Sequence, residues 1–105
     1  MKGDFFMCYT IDEIKEKTTP IAKNYGIQSM SLFGSYARNE ADDNSDIDIC
    51  IEKGALRSLV QYFAFVHDLE ESLNCHVDVI TTDIEDRDFL IKISEEMVVL
   101  YERQG

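Results

Sequence analysis

Two aspartates one residue apart, Asp46 and Asp48, stand in a short apolar segment, ten residues after the pair Gly34-Ser35. If that segment is a strand, both carboxylates project from the same face, about 7 Å apart at the backbone. Carboxylates placed in this way can bridge two cations roughly 4 Å apart, an arrangement used for in-line displacement at phosphorus. Magnesium takes such hard oxygen ligands and completes its shell with water and substrate phosphates. The pattern therefore predicts magnesium-dependent nucleotidyl transfer.

The Gly34-Ser35 pair supplies the second half of the predicted site. Glycine allows a sharp turn and lets a phosphate approach the backbone. The Ser35 hydroxyl and the amides that follow it are anion donors at the start of a helical turn. Arg38 is the only cation between residues 24 and 52, and it either neutralises phosphate or pairs with Glu40 or Asp42. The turn is predicted to hold a triphosphate beside metal-binding aspartates.

A third carboxylate, Asp78, stands in the next predicted strand and has the same apolar surroundings. If the two strands are neighbours, Asp78 lies opposite the pair and completes a triad. A plain acidic surface is the alternative, because residues 38–52 hold six acids and one base. Aspartate is disfavoured inside strands, however, and two carboxylates on one face repel each other unless a cation joins them. Metal ligation is therefore the favoured interpretation.

Composition and charge limit the other functions. At 105 residues the chain is predicted to be one domain, 1–105, with an N-terminal arm over residues 1–9. The formal net charge of −11 and the scattered Lys and Arg residues disfavour direct nucleic-acid binding. No apolar run approaches the roughly 20 residues that span a bilayer, so no membrane association is expected. Three widely spaced cysteines fit a reducing, cytoplasmic compartment.

The neighbouring residues Cys75 and His76 form the other potential metal-binding pair. The sequence has no CxxC or HxxxH spacing to support a metal site there. Buried small residues are the expected role for this pair.

The first helix is predicted from its end signals. Thr10 and Glu13 form a capping box at its start, and Gly26 ends it in the C′ position. Pro20 interrupts the helical period, which predicts a kink or a restart with Thr18 or Thr19 as the cap.

The remaining elements follow from periodicity and breakers. They are strands over 27–33, 46–53, 75–81 and 97–101, a helical turn over 36–40, a helix over 55–73, and a helix capped by Thr82 or Asp83 that runs to about residue 95. The apolar stripe of the long helix is predicted to comprise Leu56, Leu59, Val60, Phe63, Val66, Leu69 and Leu73, with Tyr62 and Phe65 at its edge. The first two strands are expected to be antiparallel neighbours. The order predicts an α+β fold, a small sheet with helices packed mainly on one face.

The residues of the predicted site resemble the signature of a known family. Residues 33–38 together with 45–48 are similar to the motif of the minimal nucleotidyltransferases of the DNA polymerase β superfamily. The spacing of Gly-Ser, ten residues and Asp-x-Asp fits without a gap, and Asp78 matches the third carboxylate of the motif. Asn39 stands where the family often has glycine, and asparagine tolerates a left-handed turn. The resemblance extends from the helix before Gly26 to residues 98–102.

This resemblance implies a polymerase β palm-like nucleotidyltransferase fold with a small mixed sheet, and it agrees with the site read from the spacing. The predicted site comprises Asp46, Asp48 and Asp78 as catalytic and metal-binding residues, and Gly34, Ser35 and Arg38 as nucleotide-binding residues. Two Mg²⁺ ions are the expected cofactors and ATP the expected substrate. One ion would lie at Asp46 and Asp48, and a second would be shared with Asp78.

Small members of this kind resemble the antitoxin half of HEPN–MNT toxin–antitoxin pairs. The resemblance implies that the protein transfers AMP from ATP to a tyrosine of a HEPN ribonuclease and silences it, with the partner completing the site. Two alternatives stay open at this point: a binding antitoxin that acts by occlusion, with weak or no catalysis, and a nucleotidyltransferase that acts on a small molecule. The first alternative predicts no covalent AMP on the partner, and an acceptor screen tests the second.

Overall fold

The computed structural model describes residues 9–42 and 44–104. Apart from Tyr9, the predicted arm over residues 1–9 lies outside the described residues. The elements in chain order are α1 (Ile11–Asn24), β1 (Ser29–Phe33), α2 (Gly34–Ala37), β2 (Ile47–Glu52), α3 (Leu59–Leu73), β3 (Val77–Thr81), α4 (Arg87–Ser94) and β4 (Val98–Glu102). None of the helices in these ranges has the length and apolar character that crossing a membrane requires.

The four strands form one sheet in the order β3-β2-β1-β4. The β1–β2 and β1–β4 pairs are antiparallel, whereas β2 and β3 are parallel. The predicted mixed sheet and α+β fold are confirmed. The parallel pair matters most for function, because parallel neighbours begin at the same edge of a sheet and bring their first residues together.

Side-chain alternation gives the sheet two different faces. One face carries Ile47, Ile49 and Ile51 of β2, which are fully buried under α1 and α3. The opposite face carries a smaller apolar group in which Phe33, Cys50 and Ile93 are buried, with Ile80, Leu90 and Met97 packed against them. Since Ile93 and Leu90 belong to α4, this helix covers the second face, while the other two long helices share the first. Residues of β2 at even positions, Asp48 among them, therefore share a face with α4.

Helix α1 confirms both predicted ends but not the predicted interruption. Thr10 and Glu13 form the capping box, and Gly26, with φ of 68°, follows the C-cap residue Tyr25. The helix runs unbroken through Pro20, so the expected restart is wrong. Neither Thr18 nor Thr19 caps a helix; each hydroxyl donates to the carbonyl four residues earlier, at 2.7 Å. The helix stays continuous because residues on both sides of Pro20 are buried in the core, while Pro20 itself is exposed on the outer face.

Helix α3 begins at Leu59, four residues later than predicted, because Ser58 and Gln61 form a capping box there. Its buried residues are Phe65, Leu69 and Leu73, and Tyr62 is half-buried. The predicted stripe is wrong in its first turns, where Leu59, Val60 and Phe63 are 74%, 79% and 64% exposed. Phe63 lies about 160° around the helix from Phe65, so both cannot face the core.

Helix α4 is shorter than predicted, and a different residue caps it. Asp86 accepts the Phe89 amide at 3.0 Å, and the helix begins at Arg87. Thr82 and Asp83 do not cap it, because both are used in the turn that leaves β3. Thr82 donates its amide to the Ile51 carbonyl at 3.0 Å, and Asp83 pairs with Lys53 at 2.9 Å. The short helix α2 begins at Gly34 rather than at residue 36.

The exposed and buried phenylalanines of α3 give a direct test of this packing. Replacing Phe65 by alanine is expected to lower the free energy of unfolding by about 3–5 kcal/mol, because a fully buried ring leaves a cavity. The matched change Phe63→Ala is expected to cost less than about 1 kcal/mol. Urea denaturation of the two variants measures both values, and equal losses would contradict the orientation of the helix.

Candidate active site

The three predicted carboxylates converge at the start of the parallel strand pair. The β2–β3 register places Asp48 opposite Asp78, and Asp46 immediately precedes β2. Ligand atoms of Asp46 and Asp78 lie within 4.8 Å of each other. Asp48 and Asp78 are cross-strand partners, and the nearby Asp78 carboxylate is one of the causes that raise the pKa of Asp48. We call these three side chains the carboxylate cluster.

The environment of Asp48 opposes its ionisation. Burial, and then the charges of Asp78 and Asp46, together raise the pKa of Asp48 to about 6. In residues 9–42 and 44–104, no Lys or Arg nitrogen pairs with the carboxylate of Asp46 or Asp48. Arg38 lowers the pKa of Asp48 only as the smallest contribution. The cluster thus holds excess negative charge that a divalent cation would neutralise.

The close contact with this cluster requires a glycine at position 34. Its φ is 76°, and a Cβ built there would lie 2.1 Å from the Asp48 Oδ2 atom. A side chain at this position would therefore displace the carboxylate. The turn continues through Asn39, whose φ of 61° is the left-handed conformation that asparagine tolerates. The predicted turn thus lies directly against the carboxylate cluster.

A glutamate that sequence reasoning missed holds this turn from the other side. The Gly34 amide donates to Glu96 Oε2 at 2.7 Å, and Arg38 Nη1 donates to Glu96 Oε1 at 3.1 Å. The Gly34 amide, and then Arg38, hold the pKa of Glu96 below its usual value. Arg38 also donates to Glu40 at 3.0 Å, so among the described residues it pairs with Glu40 and Glu96 and not with Asp42. Only the pairing of β1 with β4 brings Glu96 here, and the sequence gives no local signal of that pairing.

His76 is the second residue that the sequence analysis misjudged. Its side chain is exposed rather than buried, and Nε2 lies 2.8 Å from Asp78 Oδ1. A hydrogen bond to Asp78 is the largest cause that raises the pKa of His76. The ligand atoms of Asp46, His76 and Asp78 all lie within 4.8 Å of one another. The signal was its position two residues before Asp78, which places both side chains on one face of a strand.

The chain matches a family model and named relatives along most of its length. Residues 16–105 match the family described as Polymerase beta, Nucleotidyltransferase. A candidate protein adenylyltransferase of Methanocaldococcus jannaschii is 48% identical over 71 residues, 68% of this chain and 76% of that protein. The protein adenylyltransferase MntA of Thermococcus cleftensis is 31% identical over 75 residues, with the same two shares.

Solved structures share the fold at lower sequence identity. One is a toxin–antitoxin structure with AMP-PNP, matched with a TM-score of 0.73 at 21% identity over 86% of this chain and 74% of that chain. Another holds a tri-AMPylated Shewanella oneidensis HEPN toxin in complex with an MNT antitoxin, with a TM-score of 0.68 at 18% identity over 90% and 74% of the two chains. The family match over residues 16–105 and the relative that is 48% identical establish that this chain belongs to the polymerase β nucleotidyltransferase family.

Proposed function

We propose that this protein is an antitoxin that transfers AMP from ATP to a tyrosine of a partner HEPN ribonuclease and so neutralises it. The observation that carries the proposal is the convergence of Asp46, Asp48 and Asp78 beside the Gly34-Ser35 turn. The names of the similar adenylyltransferases and of the toxin–antitoxin complex support the choice of AMP and of a HEPN partner.

The donor set fits magnesium. Carboxylate oxygens are the ligands that Mg²⁺ prefers, and the raised pKa of Asp48 marks a place where positive charge is missing. Asp46, Asp48 and Asp78 would hold the metal. Bound there, magnesium neutralises phosphate charge and lowers the pKa of the acceptor hydroxyl.

The protein's own residues orient the reactants around this cluster. Ser35 donates its hydroxyl to the triphosphate, and Arg38 exchanges a carboxylate partner for a phosphate oxygen. The acceptor hydroxyl attacks the α-phosphorus of ATP while the bond to the bridging oxygen of pyrophosphate breaks. Asp78 accepts the proton of that hydroxyl as general base. Positioning and charge neutralisation supply most of the rate.

One observation favours the occlusion mechanism as a second candidate. Leu59, Val60 and Phe63 form an exposed apolar surface on the first turns of α3, next to a cavity of about 380 Å³ lined by Leu56 and Ile84. A partner that covers this surface would be blocked without any covalent change. The two mechanisms predict different masses for the partner, because only transfer leaves AMP on it.

The decisive experiment replaces Asp46 in a co-expressed pair with the HEPN partner. Intact-mass analysis with Mg²⁺ and ATP is expected to show AMP on the partner with the wild-type protein and none with Asp46→Asn. The variant Asp12→Asn, an exposed aspartate on α1, is the control and should transfer normally. Transfer by Asp46→Asn at the wild-type rate would refute the metal assignment, and an unmodified but inactive partner would favour occlusion.

Gly34→Ala tests the close contact between the turn and the cluster. The added Cβ would displace the Asp48 carboxylate, so we expect transfer to fall about a hundredfold, the effect of a misplacement of about 1 Å. Gly26→Ala is the matched control, since Gly26 also has positive φ, at 68°, but lies at the other end of β1. The control should lose more than about 1 kcal/mol of stability, because its φ is left-handed and its new Cβ would lie 2.8 Å from Ala55 Cβ, but it should keep its transfer rate. Equal rates for the two variants would contradict the role of Gly34.

The pKa of Asp48 predicts a pH-dependent stability in the metal-free protein. A carboxyl group whose pKa is raised from 3.8 to about 6 on folding contributes stability at low pH that is lost as the pH rises through about 6. Asp48→Asn should therefore melt at a higher temperature than wild type at pH 7.5, and the difference should shrink as the pH falls below 6. Glu16→Gln, an exposed change on α1, should show no such step. A difference that stays constant from pH 5 to 7.5 would rule out the electrostatic explanation.

A further inference from the structure

The imidazole of His76 brings a nitrogen atom to a site otherwise made of carboxylates. One of its ring nitrogens and single carboxylate oxygens of Asp46 and Asp78 all lie within 4.8 Å of one another, and its Nε2 atom lies 2.8 Å from Asp78 Oδ1. Around one six-coordinate ion with bonds of about 2.1 Å, opposite ligands are about 4.2 Å apart and adjacent ligands about 3 Å. The three atoms therefore already occupy nearly the span that a single ion requires.

The second ring nitrogen of His76 is held by a residue outside this group. Nδ1 lies 3.1 Å from Glu70 Oε2, and the same oxygen accepts the Val77 amide at 3.1 Å. Glu70 is on α3 and is partly buried, so the helix and the first residue of β3 both fix its position. In protein metal sites a ligating histidine usually donates its other N–H to a carboxylate, which sets the tautomer and the ring orientation. With the Nδ1 proton directed to Glu70, a metal ion that displaced the Nε2 proton now facing Asp78 Oδ1 would find the Nε2 lone pair directed at the carboxylate.

We propose that His76 Nε2 is a metal ligand together with Asp46 and Asp78, and that the site consequently favours a first-row transition-metal ion over Mg²⁺. Imidazole adds affinity for transition metals and little for magnesium, which prefers oxygen. This inference rests on the proposed function in so far as both use the carboxylate cluster. It differs in adding a nitrogen ligand and a metal preference that carboxylates alone do not provide.

A structural role for His76 is the competing explanation. As an imidazolium it would form an ion pair with Asp78 and Glu70 and hold the start of β3 without contacting any metal. The two roles differ in a property other than activity. A ligand places its nitrogen in the first coordination sphere of the ion, whereas an ion-paired imidazolium has no lone pair to offer at Nε2.

Manganese is the probe that distinguishes them, because it accepts both oxygen and nitrogen ligands and is paramagnetic. Pulsed EPR of the intact protein with Mn²⁺ and no nucleotide is expected to show coupling to one imidazole ¹⁴N. The chain has two histidines, His67 and His76, which makes the assignment simple. His67→Gln should keep the coupling, and His76→Gln should abolish it and weaken Mn²⁺ binding at least about tenfold. Mg²⁺ affinity, measured by competition, should change by less than about threefold.

The outcomes separate this inference from the proposed function. His76 is exposed, so His76→Gln should fold, and its melting temperature checks this. If wild type and His76→Gln bind Mn²⁺ equally and neither shows ¹⁴N coupling, His76 is not a ligand and the inference fails. Loss of Mn²⁺ binding and of AMP transfer in Asp46→Asn would then leave the proposed function intact. If wild type binds no Mn²⁺ at all, the inference is overturned, and transfer with Mg²⁺ decides the proposed function separately.

Discussion

Three carboxylates repel one another, yet the parallel pairing of β2 and β3 holds them together. The rest of the structure depends on this constraint. The register that sets Asp48 opposite Asp78 also sets Ile47 opposite Val77 on the other face of the sheet. Those apolar residues are buried, and burying each such side chain stabilises the fold by about 1.5–3 kcal/mol. The apolar face therefore fixes a strand pairing that the charges on the opposite face oppose. The carboxylates of the site thus repel one another, while the strands that carry them have regular sheet pairing.

The surface around the turn at Gly34 is also rich in carboxylates, although the ligand predicted for this turn is a phosphate. Arg38 is the cation that follows the Gly34-Ser35 turn, yet Glu40 and Glu96 already compensate its charge. The Gly34 amide is likewise occupied by Glu96. A triphosphate that approached this surface without a cation would meet net repulsion from both the turn and the carboxylates. For the proposed nucleotide, metal binding would therefore be a condition for binding, and not merely an aid to the later chemical step.

Local signals in the sequence predicted most of the fold and half of the site. The capping box at Thr10 and the Gly-Ser, Asp-x-Asp spacing are short-range patterns, and the structure has the corresponding elements. The rotation of α3 was mispredicted because both of its faces carry apolar residues, so periodicity could not choose between Phe63 and Phe65. Glu96 and His76 were missed for other reasons. The contacts of Glu96 depend on the pairing of β1 with β4, which no local pattern encodes, whereas His76 had a local signal, its position two residues before Asp78, that the expected burial overrode.

The raised pKa of Asp48 connects folding, metal binding and catalysis in one equilibrium. A proton and a divalent ion would compete for the Asp48 carboxylate, so below a pH of about 6 the protein without metal reduces its repulsion by keeping Asp48 protonated. A divalent ion bound at the cluster would release that proton and stabilise the folded chain by mass action. Asp78, the proposed general base, faces Asp48 across the parallel strand pair, so a cation that neutralises Asp48 would bind beside that base. The charge crowding that raises the pKa of Asp48 is therefore the same property that would draw a cation to the proposed base.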